Sequence, residues 1–552
     1  MRERVGVLLA IVVMTAVGYA VFPGHTYLQS DTQIYVPMLE RLWDPAVLQR
    51  DFIVERPHMG LTVYDEVAVA SRRLTGLGFR EVLTAQQLLF RALGLMGVFL
   101  IVNSFGLGRR MSLLATSIFA LGATVWGPTV LTIEYEPIPR AFSLALLLFA
   151  VGLEARGWPL AAGTAAAAAF LYHTTTAFPF WVCYCLLVVW PAERSVWRHR
   201  LLGLVPLLVV AAVLGVLFLV QPDRAHSLPR FEQLAPWWEQ VVRLRSPYVW
   251  VSLWFPRWYW HYGILAAICA AAFWRVRKAA PADLRVFLAG LPLLGLLSLP
   301  FSYWLLEINK SALAPQIQPL RAVLFITAVA MLLSSVAGIR AAQAGRRLEG
   351  FLWFAVAFSI PTAHAIQDIF LPNFRDPLLL RCALLVASLS VGVVLVVWGE
   401  AASRRWRTPA WAALILVSFF LYPGFGMVVN YPALRTTDLE DLSRWARSST
   451  PTEAVFLFPD AGRDLYPGIF RATALRAVYV DWKSGGQANY QEDSAALWHE
   501  RWQALMAPRF KPGDTRRYAA RGIDFVVLRS ANRLRDEEPV HENPAFAVYA
   551  TR

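Results

Sequence analysis

Three groups of polar residues in this chain have the types and spacing that chemistry needs. The first is Asp31, in Gln29-Ser30-Asp31-Thr32-Gln33-Ile34-Tyr35. A carboxylate there could take a proton from an acceptor hydroxyl as general base, once within hydrogen-bond reach of it. The same residues also read as a helix start: Ser30-x-x-Gln33 matches a capping box, with Asp31 as a first-turn acid favoured by the helix dipole. The second group is Glu134 and Glu136, in Thr132-Ile133-Glu134-Tyr135-Glu136-Pro137-Ile138-Pro139-Arg140. The two prolines keep residues 136 and 138 out of helix, so the loop is extended and both glutamates should point the same way. That suits a clamp for an acceptor or for a divalent cation such as magnesium or manganese; a salt bridge from Glu136 to Arg140 is the competing reading.

The third group is cationic: Arg321 in Gln318-Pro319-Leu320-Arg321, with Arg91 and Lys310. A guanidinium offers a phosphate two parallel charge-assisted hydrogen bonds and an ammonium a compact point charge, so these residues are candidates to hold a phosphate. Snorkelling to lipid headgroups is the alternative. His58, in Arg56-Pro57-His58, together with His173 and Asp51, completes the set of candidates.

What must position these groups is a membrane. The chain is 57% hydrophobic and 16% charged, with mean hydropathy +0.46, whereas a soluble domain has about 25% charged residues. Its apolar residues fall in blocks long enough to span about 30 Å of hydrocarbon: 5–22, 88–106, 111–130, 139–155, 158–175, 177–192, 200–221, 260–276, 284–305, 319–340, 350–369, 379–399 and 409–430. The formal charge of +14 does not point to nucleic acid. Short loops on one side carry eighteen basic residues against six acidic ones, which is the positive-inside signature of topology and leaves no nucleic-acid footprint. About thirteen spans then place the N-terminus in the cytoplasm and the C-terminus outside, with the first span an uncleaved anchor. Cys183, Cys185, Cys269 and Cys382 all fall inside apolar segments and read as small buried hydrophobes, not as a disulfide or zinc framework.

The expected organisation is a transmembrane domain over 1–430 and an extracytoplasmic α/β domain over 431–552. Between the first two spans, loop 23–87 carries an amphipathic segment with Leu61, Tyr64, Val67, Ala68 and Leu74 on one face, expected to lie along the membrane surface. Loop 222–259 and its edge hold Trp237, Trp238, Trp250, Trp254, Trp258 and Trp260, which suit either a headgroup belt or stacking on sugar rings. Residues 431–552 contain seventeen basic and sixteen acidic residues and no apolar run longer than a strand. Helices over 437–447 and 493–505 alternate there with strands over 454–458, 476–481 and 525–528, a pattern for a small layered α/β unit. Mid-membrane carboxylates and cation pairs, from which ion pathways are built, are scarce; the polar groups gather at the outer ends of the spans.

An anchor followed by an acidic outer loop, a second acidic loop between spans three and four, about thirteen spans and an outer C-terminal domain together resemble the C-type glycosyltransferase superfamily. The resemblance implies an α-helical polytopic fold in a bacterial cytoplasmic membrane. It also implies an inverting transferase that moves a sugar from a polyprenyl-phosphate donor to an extracytoplasmic lipid or glycan acceptor. Carried over by residue, the family's first-loop acid falls on Asp31 and its second-loop acid on Glu134 or Glu136. Asp31 is followed by Thr32 where the family often has a second acid, and the tail lacks the Trp-Trp-Asp-x-Gly signature of oligosaccharyltransferases, which argues against protein N-glycosylation. Val480-Asp481-Trp482-Lys483 and Arg56-Pro57-His58 also look like those of an uncharacterised group of bacterial polytopic proteins. Two other functions compete: a non-catalytic membrane scaffold that presents the α/β tail, and a transporter of lipid-linked sugar.

Overall fold

In a computed structural model, which describes residues 2–55, 62–190, 194–220, 232–362, 364–370, 378–398, 404–423, 430, 434–506 and 516–551, the apolar segments form helices. Several of their ends fall at prolines and glycines. The chain order is α1 (Arg2–Ala20), α2 (Thr32–Trp43), α3 (Tyr64–Thr75), α4 (Phe79–Asn103), α5 (Arg109–Ala120), the ribbon β1 (Thr124–Val125) and β2 (Val130–Leu131), α6 (Pro139–Glu154), α7 (Pro159–Tyr172), α8 (Thr174–Val189), α9 (Arg194–Leu202) and α10 (Val205–Val220). It continues with α11 (Pro236–Arg245), α12 (Pro256–Val276), α13 (Ala282–Ser302), α14 (Leu324–Gln343), α15 (Arg347–Ser359), α16 (Leu378–Trp398) and α17 (Arg404–Leu421). Proline stands at the start of α6, α7, α11 and α12, where its missing N–H costs nothing.

Among the described residues, four helical stretches are long and apolar enough to cross a bilayer: Phe79–Asn103, Val196–Val216, Ala282–Ile308 and Leu313–Gln343. Shorter apolar helices include Arg4–Ala20, Pro159–Tyr172 and Thr174–Val189. The packing axis is α14, buried along nearly its whole length. Helices α4 and α6 cross so closely that a Cβ on Gly97 would lie 2.4 Å from the Leu148 backbone, and one on Gly152 2.6 Å from the Gly97 carbonyl oxygen. Small residues at a crossing are how membrane helices gain contact without a hydrophobic drive between them.

The structure corrects several expectations. The segment 111–130 is not one span: α5 ends at Ala120, and Gly122 (φ +69°) and Gly127 (φ +88°) turn the chain into the β1–β2 ribbon. In the amphipathic α3, Tyr64 and Ala68 are buried but Leu74 points out, because Gly76 (φ +71°) ends the helix there. Trp238, Trp250 and Trp254 are buried and so form neither a headgroup belt nor a sugar platform; Trp260 stays exposed. Cys185 is exposed on α8, unlike Cys183 and Cys269.

The tail is built from α18 (Thr437–Ser449), β3 (Val455–Leu457), α19 (Tyr466–Ala474), β4 (Ala477–Val478), α20 (Glu492–Leu505), β5 (Phe525–Arg529), β6 (His541–Glu542) and β7 (Phe546–Ala550). The sheet order is β4-β3-β5-β7-β6; β3 runs parallel to β4 and β5, and β7 antiparallel to β5 and β6. The tail packs α19 against α2, and its turn Lys483–Asn489 against α2 and α11. Trp238 Nε1 donates to the Ala488 carbonyl at 2.7 Å, which draws the tryptophan-rich segment under the tail.

Candidate functional site

Asp31 stands at the start of α2, yet its carboxylate does not cap that helix. It reaches outward between two cations. Arg140 Nη1, from the first turn of α6, donates to Oδ2 at 2.5 Å, and Lys483 Nζ, from the tail, donates to Oδ1 at 2.7 Å. Lys483 also donates to Ser30 Oγ at 3.1 Å. Burial alone would push the Asp31 carboxyl up, but the two cations outweigh it and hold the group well below the usual carboxylate range.

The helix end that Asp31 leaves uncapped is capped by Glu136 from the second loop. Its Oε1 accepts the backbone N–H of Gln29 (2.8 Å) and Ser30 (2.7 Å), and its Oε2 that of Thr32 (3.0 Å). The capping-box reading of Ser30 and Gln33 is therefore replaced, since the Gln33 amide donates instead to the Leu28 carbonyl. The expected Glu136–Arg140 bridge is also replaced: Arg140 Nε donates to Glu134 Oε1 at 2.7 Å. Burial pushes Glu136 up, and backbone donors oppose it. Tyr64 Oη, donating to the Pro137 carbonyl at 2.7 Å, braces the loop. The sequence thus brings Asp31, Arg140 and Glu134 into one chain of ion pairs, with Glu136 as the group that sets the backbone around Asp31.

Lys483 is presented by a buried network joining the tail to the first loop. Arg471, fully buried on α19, donates from Nε to Asp51 Oδ2 at 2.7 Å and from Nη2 to Asp481 Oδ1 at 2.6 Å. Asp481 in turn accepts the backbone N–H of Lys483 at 3.2 Å and of Ser484 at 3.3 Å, which shapes the turn that aims Lys483. Burial opposes the Asp481 charge, but Arg471 prevails and lowers its pKa. Asp51, expected among the site candidates, is spent on Arg471 and the Val478 N–H, away from Asp31. On the rim, Arg245 Nε donates to the Trp482 carbonyl at 2.9 Å, and the guanidiniums of Arg245 and Arg463 lie over the Trp482 ring.

Arg321 meets His173. His173 Nδ1 lies 3.2 Å from the Thr176 backbone N–H and 2.9 and 3.0 Å from the Thr176 and Thr175 hydroxyls, so it can accept from the first or donate to either of the others. Arg321 Nη1 lies 3.3 Å from His173 Nε2, to which it donates when the ring proton is on Nδ1. In either tautomer Arg321 Nε is buried with no partner, a donor that an oxyanion would satisfy. Their sequence neighbours, Thr174 and Thr175 on one side and Pro319 and Ala322 on the other, line a cavity of about 290 Å³ whose remaining wall, apart from Ser298, is apolar, with Phe178, Leu297 and Phe301 in it. The Tyr490 phenol, raised by burial against the pull of Arg321, feels both Arg321 and Asp31 and so ties the two halves of the site together.

Other candidates lie elsewhere. Arg91 spends Nη2 on the Gly24 and Glu134 carbonyls, at 2.8 and 2.7 Å, which staples the two loops together. Lys310 pairs with Glu239 at 2.7 Å and is not in the Asp31 cluster. His58 lies outside the described residues. A divalent cation does not fit between Glu134 and Glu136. The latter is filled by backbone donors, Glu134 and Asp31 are each neutralised by Arg140, and among the described residues no three His, Cys, Asp or Glu side chains converge.

Local spacing alone does not mark Arg140 and Lys483 as site residues. Lysine occurs at only four positions, 278, 310, 483 and 511, and one of them closes the Val480–Lys483 motif; that was the available signal.

A family model described as a domain of unknown function (DUF6798) matches residues 437–505. No curated protein matches the sequence. Among solved structures, the chain is similar to ArnT from Cupriavidus metallidurans in the apo state, at 14% identity and a TM-score of 0.49, covering 100% of this chain and 99% of that one. It is similar also to the same protein bound to undecaprenyl phosphate, at 15% identity and a TM-score of 0.43, over 99% and 98% of the two chains. A third is the Archaeoglobus fulgidus oligosaccharyltransferase tethered with an acceptor peptide, at 11% identity and a TM-score of 0.39, over 95% of this chain and 69% of that one.

Proposed function

We propose that the protein is an inverting membrane glycosyltransferase that takes a sugar from a polyprenyl-phosphate donor and passes it to an extracytoplasmic lipid or glycan hydroxyl. The observation that carries this reading is Arg321, whose buried Nε has no partner and which pairs with no carboxylate among the described residues, close in sequence to Pro319 and Ala322 of an apolar groove. An anion joined to a long hydrocarbon tail suits both halves: the oxyanion accepts from Arg321, and the chain enters the groove lined by Phe178, Leu297 and Phe301. The carboxylate of Asp31 is near enough for one buried phenol, Tyr490, to feel both it and Arg321.

In this reading the acceptor oxygen attacks the anomeric carbon from the face opposite the phosphate. The new C–O bond forms as the bond from that carbon to the phosphate oxygen breaks, and polyprenyl phosphate leaves with the electron pair. The acceptor proton passes to Asp31. Arg321 meets the leaving charge, Arg140 holds the Asp31 carboxylate in place, and Glu134 fixes Arg140. A general base at this point contributes typically 10²–10⁴-fold.

The test is twofold. Purified protein should bind polyprenyl phosphate more tightly than the uncharged polyprenol of equal length, and transfer from a radiolabelled polyprenyl-phosphate sugar should fall about 10²–10⁴-fold in Asp31→Asn. Equal binding of phosphate and alcohol would overturn the phosphate site. Tight phosphate binding with transfer unchanged in Asp31→Asn would overturn the role of Asp31, and binding with no transfer by the wild type would favour carriage over chemistry.

A further inference from the structure

At the far end of α14, whose 20 residues put it about 30 Å from the Arg321 end, a second cavity has no part in the reaction above. It measures about 370 Å³ and is lined by Arg275, Arg340 and Arg346, with Gln343 and the turn at Gly106 and Leu107. This lies within the roughly 300–1,000 Å³ of ordinary ligand sites. Its charge is unbalanced. Arg275 Nε donates to Glu349 Oε1 at 2.7 Å and Arg346 Nε to Glu349 Oε2 at 3.2 Å, so one carboxylate serves two guanidiniums. Arg340 has no carboxylate among the described residues: its Nη2 donates to the Phe105 carbonyl at 2.5 Å, and its Nε is shielded from solvent without a partner. Among the described residues, three cations against one acid leave a local excess of two positive charges.

The carbonyls at the α14 C-terminus do not supply the missing negative charge. Those of Arg340, Ala341 and Ala342 accept the backbone N–H of Ala344, Arg346 and Gly345. The sequence neighbours of these cations are apolar and exposed: Trp274 beside Arg275, then Leu348 and Leu352 following Arg346. A soluble anion has no use for such a surround, whereas a ligand with a charged head and hydrocarbon chains fits both parts. The cavity also lies at the end of the helices that carries the basic loops, where anionic lipid headgroups meet juxtamembrane arginines.

We propose that this cavity holds the phosphodiester headgroup of an anionic phospholipid, separate from the donor site. Guanidiniums of Arg275, Arg340 and Arg346 face the phosphodiester oxygens, and Gln343 donates from its amide. The occupant is a resident lipid that joins α12, α14 and α15 at the inner boundary.

The experiment uses the full chain in mixed micelles, with phosphatidylglycerol, phosphatidylcholine and inorganic phosphate as the probes and native mass spectrometry and thermal unfolding as readouts. Gln343 and Arg346 are exposed, so Gln343→Glu and Arg346→Gln change the charge of the cavity without disturbing packing. The wild type should retain phosphatidylglycerol in preference to phosphatidylcholine. Each variant should weaken that retention about fivefold, which corresponds to about 1 kcal/mol per charge. Unchanged retention in both variants, or equal retention of phosphatidylcholine, overturns the proposal. Inorganic phosphate displacing phosphatidylglycerol at equal concentration overturns the lipid as occupant and leaves a soluble anion in its place. None of these readouts needs transfer activity, so failure of the glycosyltransferase reading would leave this test intact.

Discussion

Replacing Lys483 by methionine keeps the reach of the side chain and removes only its ammonium. In the wild type that ammonium is 2.7 Å from Asp31 and 3.1 Å from Ser30, on a side chain 10% exposed, facing a carboxylate 23% exposed. Exposed ion pairs contribute roughly 0–1 kcal/mol and hydrogen bonds to charged groups about 1.5–3 kcal/mol. The partial burial and the remaining Arg140 contact place this pair near 2 kcal/mol, a value on the order of those limits. The sign of its pH dependence follows from Asp31, whose folded pKa lies below the unfolded value of about 3.9. Its stabilisation is complete above that unfolded value and is lost as pH falls through the folded one. Removing Lys483 removes part of the depression, so the stability gap between wild type and Lys483→Met should be full at neutral pH and close on acidification. Thermal unfolding of the detergent-solubilised chain between about pH 7 and pH 1, the range over which a strongly depressed carboxyl is protonated, measures it. In the transfer assay the same variant should move the acid limb of the rate profile upward, because a carboxylate with one cation fewer is protonated more easily. A gap that is constant with pH, or that widens in acid, would refute the assignment of Lys483 as the partner of Asp31.

Arg321→Leu should weaken polyprenyl-phosphate binding about 10- to 100-fold, the cost of one charged hydrogen bond of roughly 1.5–3 kcal/mol, while leaving polyprenol binding unchanged in a competition assay. Arg471→Met strands Asp51 and Asp481 without their cation inside a seam that is 0–1% exposed; a loss of about 3–5 kcal/mol is expected on unfolding, together with release of Lys483 and hence the same upward shift of the acid limb. Glu136→Gln puts an amide where three backbone N–H groups need an acceptor, so unfolding should show a cost of about 1–2 kcal/mol and transfer should fall through kcat with little change in donor affinity. Leu297→Trp fills the apolar groove and should reduce affinity for long polyprenyl phosphates more than for short ones in a chain-length series.

Most of the fold was legible because periodicity and apolar block length are local properties. The helices fall on the apolar segments, and α18, β3, α20 and β5 lie close to where their patterns put them. The misses have a common cause. The 111–130 block stayed apolar past Ala120, and only Gly122 and Gly127 with φ above +65° turn it into a ribbon. Strand β7 and helix α19 went unread because Phe546–Ala550 and Tyr466–Ala474 are short and take their meaning from partners far along the chain. The site divides the same way. Asp31, Glu134 and Glu136 could be singled out from local spacing, but which cation meets which acid depends on contacts such as 31 with 140 and 31 with 483, across 109 and 452 residues. Spacing suggested a bridge from Glu136 to Arg140, four residues apart; tertiary geometry gave Arg140 to Glu134 and Asp31 instead, and left Glu136 to cap α2.

Charge accounting explains why the tail should contribute to a site otherwise made of loops and span ends. Asp31 and Glu134 carry two negative charges, and Arg140 and Lys483 two positive ones, so these four ion-paired groups balance; Arg321, beside a neutral His173, pairs with no carboxylate among the described residues. In the reaction proposed above, a phosphodiester-linked donor would bring one negative charge to Arg321, and the leaving polyprenyl phosphate, a monoester, would carry about −1.5 to −2 at neutral pH. Asp31, on taking up the acceptor proton, would no longer form an ion pair with Lys483. A flexible lysine stem adapts to that loss better than the rigid, doubly committed guanidinium of Arg140. The seam formed by Asp51, Arg471 and Asp481 holds the turn that carries Lys483 in place while its tip responds.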